Sequence, residues 1–334
     1  MILLLASAAL AGYGDAINGL PSPAERELHL WTNAVRVDPE AFKADYPCSF
    51  DAFQDFEKTP KMPLLWHYDL NDAARFHTDD MQETGNFSHT SSDGTSFGAR
   101  LDRFYESGFV GENIAWGYTT PWSAQVEGWM CSSGHRANLM SPDYEELGTG
   151  VAGVYYTQDF GSRGADIAAH PIRMGAHTPF QVLTEVTFLA DFFDAFHGAP
   201  SEFAVIVNGD PIPMALTYGT PAQGVYTADL TIDAGPCYQY WFRAVRGDGR
   251  ITTFPEEGAY GLGGCAYEDA DAKWLLRDPD AGGIAGDTGT LREWDDGDLR
   301  SWRRWPFGGC STTGSSAAFW PLALLPLALR RRRS

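Results

Sequence analysis

The sequence is short of positive charge. Its 24 Lys and Arg stand against 44 Asp and Glu, a formal net charge of −20. A chain of that sign repels phosphate backbones and anionic lipid headgroups, so nucleic acid is not an expected partner. No apolar run reaches the roughly 20 residues that a comfortable bilayer span needs. Cysteine is scarce, five in all, and none has C-x-x-C spacing, which removes the common zinc-ribbon and thioredoxin readings. There is no H-E-x-x-H and no internal repeat, so the helical zinc-protease signature and the solenoid architectures are absent. What is present argues for a globular chain: 44% apolar residues, 20% charged residues, and aromatics at 13%. With 36 Gly and 20 Pro, turns are frequent and a long helical bundle is not expected. A length of 334 residues fits two domains, at about 150 residues per domain.

The two halves are patterned differently. Ser22-Pro23-Ala24-Glu25 reads as a capping box with Pro at the first helical position, and Ala24, Leu28, Trp31 and Val35 then share a face. Leu70, Ala74, His77 and Met81 predict a second helix, Phe97 to Gly108 a third, and Trp122, Val126 and Trp129 a fourth. Leu147–Val154 and Tyr155–Phe160 read as strands. From about Phe180 the pattern is nearly all β, with runs at Val182–Phe188, Phe203–Val207, Pro213–Thr217, Val225–Ile232 and Tyr238–Val245. Asn208-Gly209 is a hairpin signal between two of them.

The ends read as targeting segments. Residues 2–11 are an apolar run closing on Ala9-Leu10-Ala11, a small-x-small cleavage pattern, so 1–16 is expected to be a signal peptide. Residues 271–308 form an acidic, Gly-containing linker. Residues 309–334 hold Cys310, the apolar stretch Ala317 to Leu329 and the cluster Arg330 to Arg333. This tail resembles the C-terminal sorting signals of bacteria that display proteins on their surface, most closely the myxobacterial type. That resemblance implies cleavage and lipid modification near Cys310. With Cys310 assigned to the tail, two cysteines fall in each half, which favours Cys48–Cys131 and Cys237–Cys265.

Two motifs are decoys. Gly148-Thr149-Gly150-Val151-Ala152-Gly153 matches G-x-G-x-x-G, but the segment itself reads as a strand followed by another strand, not as a turn into a helix. Gly94-Thr95-Ser96-Phe97-Gly98 matches G-x-S-x-G, but a polar loop precedes it, and Ser96 reads as a helix cap.

One constellation is specific. Leu70-Asn71-Asp72-Ala73-Ala74-Arg75-Phe76-His77 is followed by Phe87-Ser88-His89, Arg100-Leu101 and Gly111-Glu112-Asn113-Ile114-Ala115. Trp129-Met130-Cys131-Ser132-Ser133-Gly134-His135-Arg136-Ala137-Asn138 comes next, and Tyr156-Thr157-Gln158-Asp159-Phe160 closes the series. The order and spacing resemble the CAP superfamily of cysteine-rich secretory proteins, plant pathogenesis-related proteins and venom allergens, with the bacterial branch the nearer likeness. The resemblance implies an α+β chain. It places a three-layer α/β/α CAP sandwich over 20–165, and the strand runs beyond it predict a small all-β, immunoglobulin-like sandwich over 178–270.

The family cleft carries two His and two Glu that can hold a divalent metal. His89 matches the first His and Glu112 the Glu of Gly-Glu-Asn. Ser132 stands where animal and plant members have the second Glu, and Tyr155 where they have the second His. His135 belongs to the bacterial Ser-x-Gly-His-Arg pattern. The candidate site is therefore His89, Glu112, His135, Ser132, Tyr155 and Asn113. His89, His135 and Glu112 are the candidate ligands for a zinc-like ion, and the same trio also suits a metal-free polar cluster. His77 reads as a core histidine, and Asn113, Arg136 and Asn138 as residues that fix loops. Two functions follow. One is a secreted or cell-surface binding protein for a lipid, another small apolar ligand or an envelope or surface protein, attached to membrane only through its tail. The other is a metal-dependent hydrolase using Glu112 as general base.

Overall fold

The computed structural model describes residues 12–16, 20–48, 53–106, 109–164, 169–180, 184–233 and 236–263, with the backbone of a two-stranded pair, Trp274–Leu275 and Leu291–Arg292. Cys265, the expected linker apart from that pair, the sorting tail with Cys310, and residues 1–11 lie outside the described residues.

The first half runs α1 (Pro23–Val37), α2 (Pro39–Asp45), a 3-10 turn (Asp55–Lys58), β1 (Leu65–Trp66), α3 (Tyr68–Thr84), α4 (Phe97–Leu101) and β2 (Phe109–Trp116). Then come α5 (Pro121–Ser123), a π-helical segment (Ala124–Met130), α6 (Ser133–Leu139), β3 (Glu146–Ala152) and β4 (Tyr155–Ser162). The expected capping box at Ser22 forms: Ser22 Oγ accepts from Glu25 N, and Glu25 Oε2 accepts from Ser22 N. The fourth expected helix winds as π rather than α, because residue spacing alone does not distinguish the two. It carries Trp129 into the core, and the disulfide Cys48–Cys131 pins its end.

The strands form one sheet in the order β1-β3-β4-β2, parallel only between β1 and β3. Alternation along β3 shows what lies on each face. A Cβ on Gly148 would fall 2.0 Å from the Leu70 carbonyl carbon, and one on Gly150 2.5 Å from Ala74 O, so both face α3. Thr149, between them, donates to Glu25 O on α1 at 3.0 Å. The sheet is therefore sandwiched between α3 and α1, and the chain is α+β with a three-layer first half. The glycine pattern that mimics a nucleotide motif serves close helix–sheet approach. Replacing Gly148 with Ala should lower stability by about 1–3 kcal/mol or more through overpacking. The readout is the urea midpoint, and an unchanged midpoint would contradict the close approach.

The second half is β5 (Gly175–Thr178), β6 (Glu185–Phe193), β7 (Glu202–Val207), β8 (Asp210–Pro213), β9 (Ala215–Thr220), β10 (Gln223–Thr231), β11 (Cys237–Val245), β12 (Ile251–Phe254) and β13 (Tyr260–Gly263). Two antiparallel sheets, β5-β6-β10-β9 and β12-β11-β7-β8 with β13 also on β11, face each other through Phe188–Tyr240 and Phe192–Phe203, at ring separations of 5.0 and 5.8 Å. Asn208-Gly209 makes the expected hairpin, with both residues at positive φ, 50° and 91°. The run expected at Val182–Phe188 lies later, at Glu185–Phe193, and Pro213–Thr217 divides at Met214 between two strands. Cys237 is disulfide-bonded, and its partner lies outside the described residues.

Helix α1 is shared by both halves. Asn33 Nδ2 donates to Asp191 Oδ2 at 2.5 Å and to Leu64 O at 3.0 Å, while its Oδ1 accepts from Leu64 N at 2.8 Å. Asp191 Oδ1 accepts from Arg173 N and Met174 N, each at 2.9 Å, and the Arg173 guanidinium reaches back to Pro63 O. Glu27 accepts from Thr178 Oγ1 at 2.8 Å and Phe180 N at 3.0 Å. Residues 12–16 join this seam. Tyr13 Oη donates to Arg173 O and accepts from Trp66 N, both at 2.8 Å, and its ring stacks on His170. Residues 12–16 therefore pack with the folded unit.

Candidate functional site

Register builds the site. Glu112 on β2 lies opposite Asp159 on β4, and Asp159 lies opposite Gly148 on β3. Paired residues share a face, so both carboxyls point to the α3 side, where Gly148 leaves room. His77 arrives from α3, with Nε2 3.9 Å from Glu112 Oε2. Arg100 arrives from α4 and forms a fully buried ion pair with the same oxygen. Its Nη1 also donates to His89 O and Ser91 Oγ, each at 3.1 Å, so one guanidinium neutralises the carboxylate and shapes the loop carrying His89. His89 Nδ1 lies 2.7 Å from Glu112 Oε1. The Nδ1–H is committed to the carboxylate, and Nε2 is left for solvent or a ligand. The His89 side chain is 54% exposed, whereas that of Glu112 is 1% exposed.

The π-helical segment and α6 cover the outer edge of β2. Asn138 Nδ2 donates to Glu112 O at 3.2 Å and Trp129 Nε1 to Ile114 O at 3.1 Å. Asn113 points to the other face of the sheet. Its Nδ2 donates to Gln158 Oε1 at 3.1 Å and to His135 O at 3.2 Å, and its Oδ1 accepts from Asn138 Nδ2 at 2.9 Å. Arg136 donates to Met130 O at 2.7 Å and pairs with buried Glu57 at 3.0 Å. All three therefore fix the loops around the site, as their side-chain chemistry implies. His135 is half-buried, and its Nδ1 has no hydrogen-bond partner in the protein.

Burial dominates the electrostatics. It holds the His77 imidazole below its usual range, partly offset by the Glu112 charge. It lowers His135 as well, and the neighbouring His89 charge adds to that effect. Asp159 is raised well above the carboxylate range, first by complete burial and then by the charge of Glu112. Two carboxyls side by side with one guanidinium cannot both ionise cheaply, which favours the protonated form of Asp159.

The donor set does not fit a divalent ion. Both Glu112 oxygens are engaged, one by His89 and one by the permanent cation Arg100, and the inward nitrogen of His89 faces the carboxylate. Among the described residues, no three His, Cys, Asp or Glu side chains form a group able to hold a metal ion.

Of the sequence-derived candidates, His89 and Glu112 are in direct contact, and His135 lies within electrostatic reach of His89. Ser132 occupies the N-cap position of α6, where its hydroxyl makes no capping bond. Tyr155 pairs with Trp116 in the register, four residues along β4 from Asp159, and does not join Glu112. The sequence reading assigned no site role to Arg100, Asp159 or His77. Arg100 and Asp159 sit inside the quoted motifs, but their convergence depends on strand pairing.

The model of the CAP family, described as the cysteine-rich secretory protein family, matches residues 32–162. The chain is 43% identical over 102 residues to the uncharacterized membrane protein YlbC of Bacillus subtilis, covering 29% of this chain and 28% of that protein. It is 34% identical over 110 residues to the uncharacterized protein YkwD of the same organism, covering 31% and 41% respectively. The chain thus spans less than half the length of either relative. An extracellular SCP-domain protein from Bacillus anthracis, of known structure, is 36% identical with a TM-score of 0.30, covering 31% of this chain and 35% of its own.

Proposed function

Because residues 32–162 match the CAP family model, we propose that the chain is a secreted or cell-surface binding protein whose ligand meets the exposed edge of His89 beside His135. The observation that carries this reading is the chain Arg100–Glu112–His89. A buried cation neutralises a buried carboxylate, and the carboxylate fixes a half-exposed imidazole with one ring nitrogen outward. A fixed, half-exposed polar group suits recognition of a small ligand or a partner's polar group. The hydrolase alternative needs Glu112 free to act as a base toward a metal-bound water, and both of its oxygens are engaged. Native mass spectrometry of the full chain expressed in an exporting host tests the binding reading. A co-purified adduct on the wild type and its loss in His89→Ala are expected. Identical spectra for the two would overturn the proposal.

Export and surface attachment belong to the same reading. The Cys48–Cys131 bridge and the bonded Cys237 suit an oxidising compartment. A leader ending at Ala11, and a tail cut and lipid-modified near Cys310, would deliver the protein there. Two acyl chains anchor stably where one does not. Mass spectrometry of protein from its own host should find Gly12 at the N-terminus and a modified end near Cys310. A C-terminus intact to Ser334 would overturn the sorting step.

A further inference from the structure

On the face that carries Glu112, four residues further along β2, stands a row of aromatic side chains that the cleft does not use. Trp116 is 57% exposed and Phe87 44% exposed. The Trp116 ring lies 6.2 Å from that of Tyr155, at an interplanar angle of 27°, and 6.2 Å from that of Phe87, at 39°. Exposed Val154 adjoins them, its carbonyl accepting from Gly117 N. Gln82, at the end of α3, lies against Gly153 in the same corner. The last turn of α3 contains no base, and Glu83 lies in it, so the negative end of the helix is not offset locally.

Contiguous exposed rings mark an interaction surface. Charge selects the partner. Aromatic faces attract cations, and this chain carries a net −20. Shape selects its form. A cage for a single quaternary ammonium needs rings at steep mutual angles, whereas these lie at shallow ones. The 6.2 Å steps approach the roughly 6.6 Å between alternate residues of an extended chain. We propose that Phe87, Trp116 and Tyr155 form a docking surface for an extended, Lys- or Arg-bearing segment of a partner polypeptide. Trp116 and Tyr155 lie about 13 Å from Glu112 along the strands, and Phe87 precedes His89 by two residues.

Calorimetric titration of the full chain with blocked, alternating Lys-Ser and Arg-Ser decapeptides tests this, with Glu-Ser and Asn-Ser peptides as controls. The wild type should bind the two basic peptides, Arg-Ser more tightly, and less tightly in raised salt. Trp116→Ala should weaken binding roughly tenfold, with Trp116→Phe retaining most of it. Equal affinity in Trp116→Ala, equal binding of the control peptides, or no binding of the basic peptides would overturn the proposal. So would Trp116-dependent binding of phosphocholine vesicles or of a neutral oligosaccharide in place of the peptides, or self-association through Trp116.

Discussion

Replacing Arg100 with Leu should destabilise the protein by about 3–5 kcal/mol, the cost of breaking a buried ion pair from one side. The substitution leaves Glu112 buried beside His77 and Asp159 with no permanent cation, and it removes the donors that hold His89 O and Ser91 Oγ. Glu112 must then take up a proton or draw charge onto His89. The double variant Arg100→Leu, Glu112→Gln should recover part of the loss, because the uncompensated charge is gone while the loop donors are still missing. Urea unfolding of wild type, both single variants and the double variant reads the coupling. Strict additivity would show that Arg100 does not neutralise Glu112.

Replacing Asp191 with Ala should cost about 3–5 kcal/mol at neutral pH, since three buried donors lose their acceptor at once. Those donors are Asn33 Nδ2 on α1 and the backbone amides of Arg173 and Met174 in the second half. The effect should carry a pH signature. Burial pushes Asp191 up to about 6, against the partial opposition of Asn33, the two amides and Arg173. An unfolded Asp titrates near 3.9, so between about pH 4 and 6 the folded state binds more protons than the unfolded one. The contribution of this group is therefore fully present below about pH 4 and diminishes as pH rises to about 6. The cost of Asp191→Ala should shrink across that window by something on the order of 1–3 kcal/mol. A constant difference between wild type and variant from pH 4 to 7 would contradict the buried carboxyl at the seam.

The parts of the fold set by local chemistry were legible in the sequence. Ser22, Pro23 and Glu25 announce the start of α1 through a capping box that forms as written. The apolar spacing of Leu70, Ala74, His77 and Met81 locates α3, and Asn208-Gly209 locates a hairpin. Strand β2 was not legible, because Gly111, Glu112 and Asn113 interrupt any alternation. They are tolerated there because each is satisfied by tertiary contacts. The site was half legible. Motif order named His89, Glu112 and His135, and two of them touch. Arg100 and Asp159 become site residues only when α4 folds over the sheet and β2 pairs with β4 in one particular register. Tyr155 fails to join Glu112 for the same reason: four residues along a strand is about 13 Å, a separation that sequence order does not reveal. The packing of α1 against both halves likewise rests on contacts such as Asn33 with Asp191, 158 residues apart.

Zinc titration of the full-length protein at neutral pH, followed by calorimetry in wild type and His89→Ala, tests most directly whether Arg100 neutralises Glu112 from within and leaves His89 for an organic ligand. No saturable heat in either protein is the expected result. A one-site isotherm in the wild type that disappears in His89→Ala would show that Glu112 and His89 serve a metal instead, and would contradict the account.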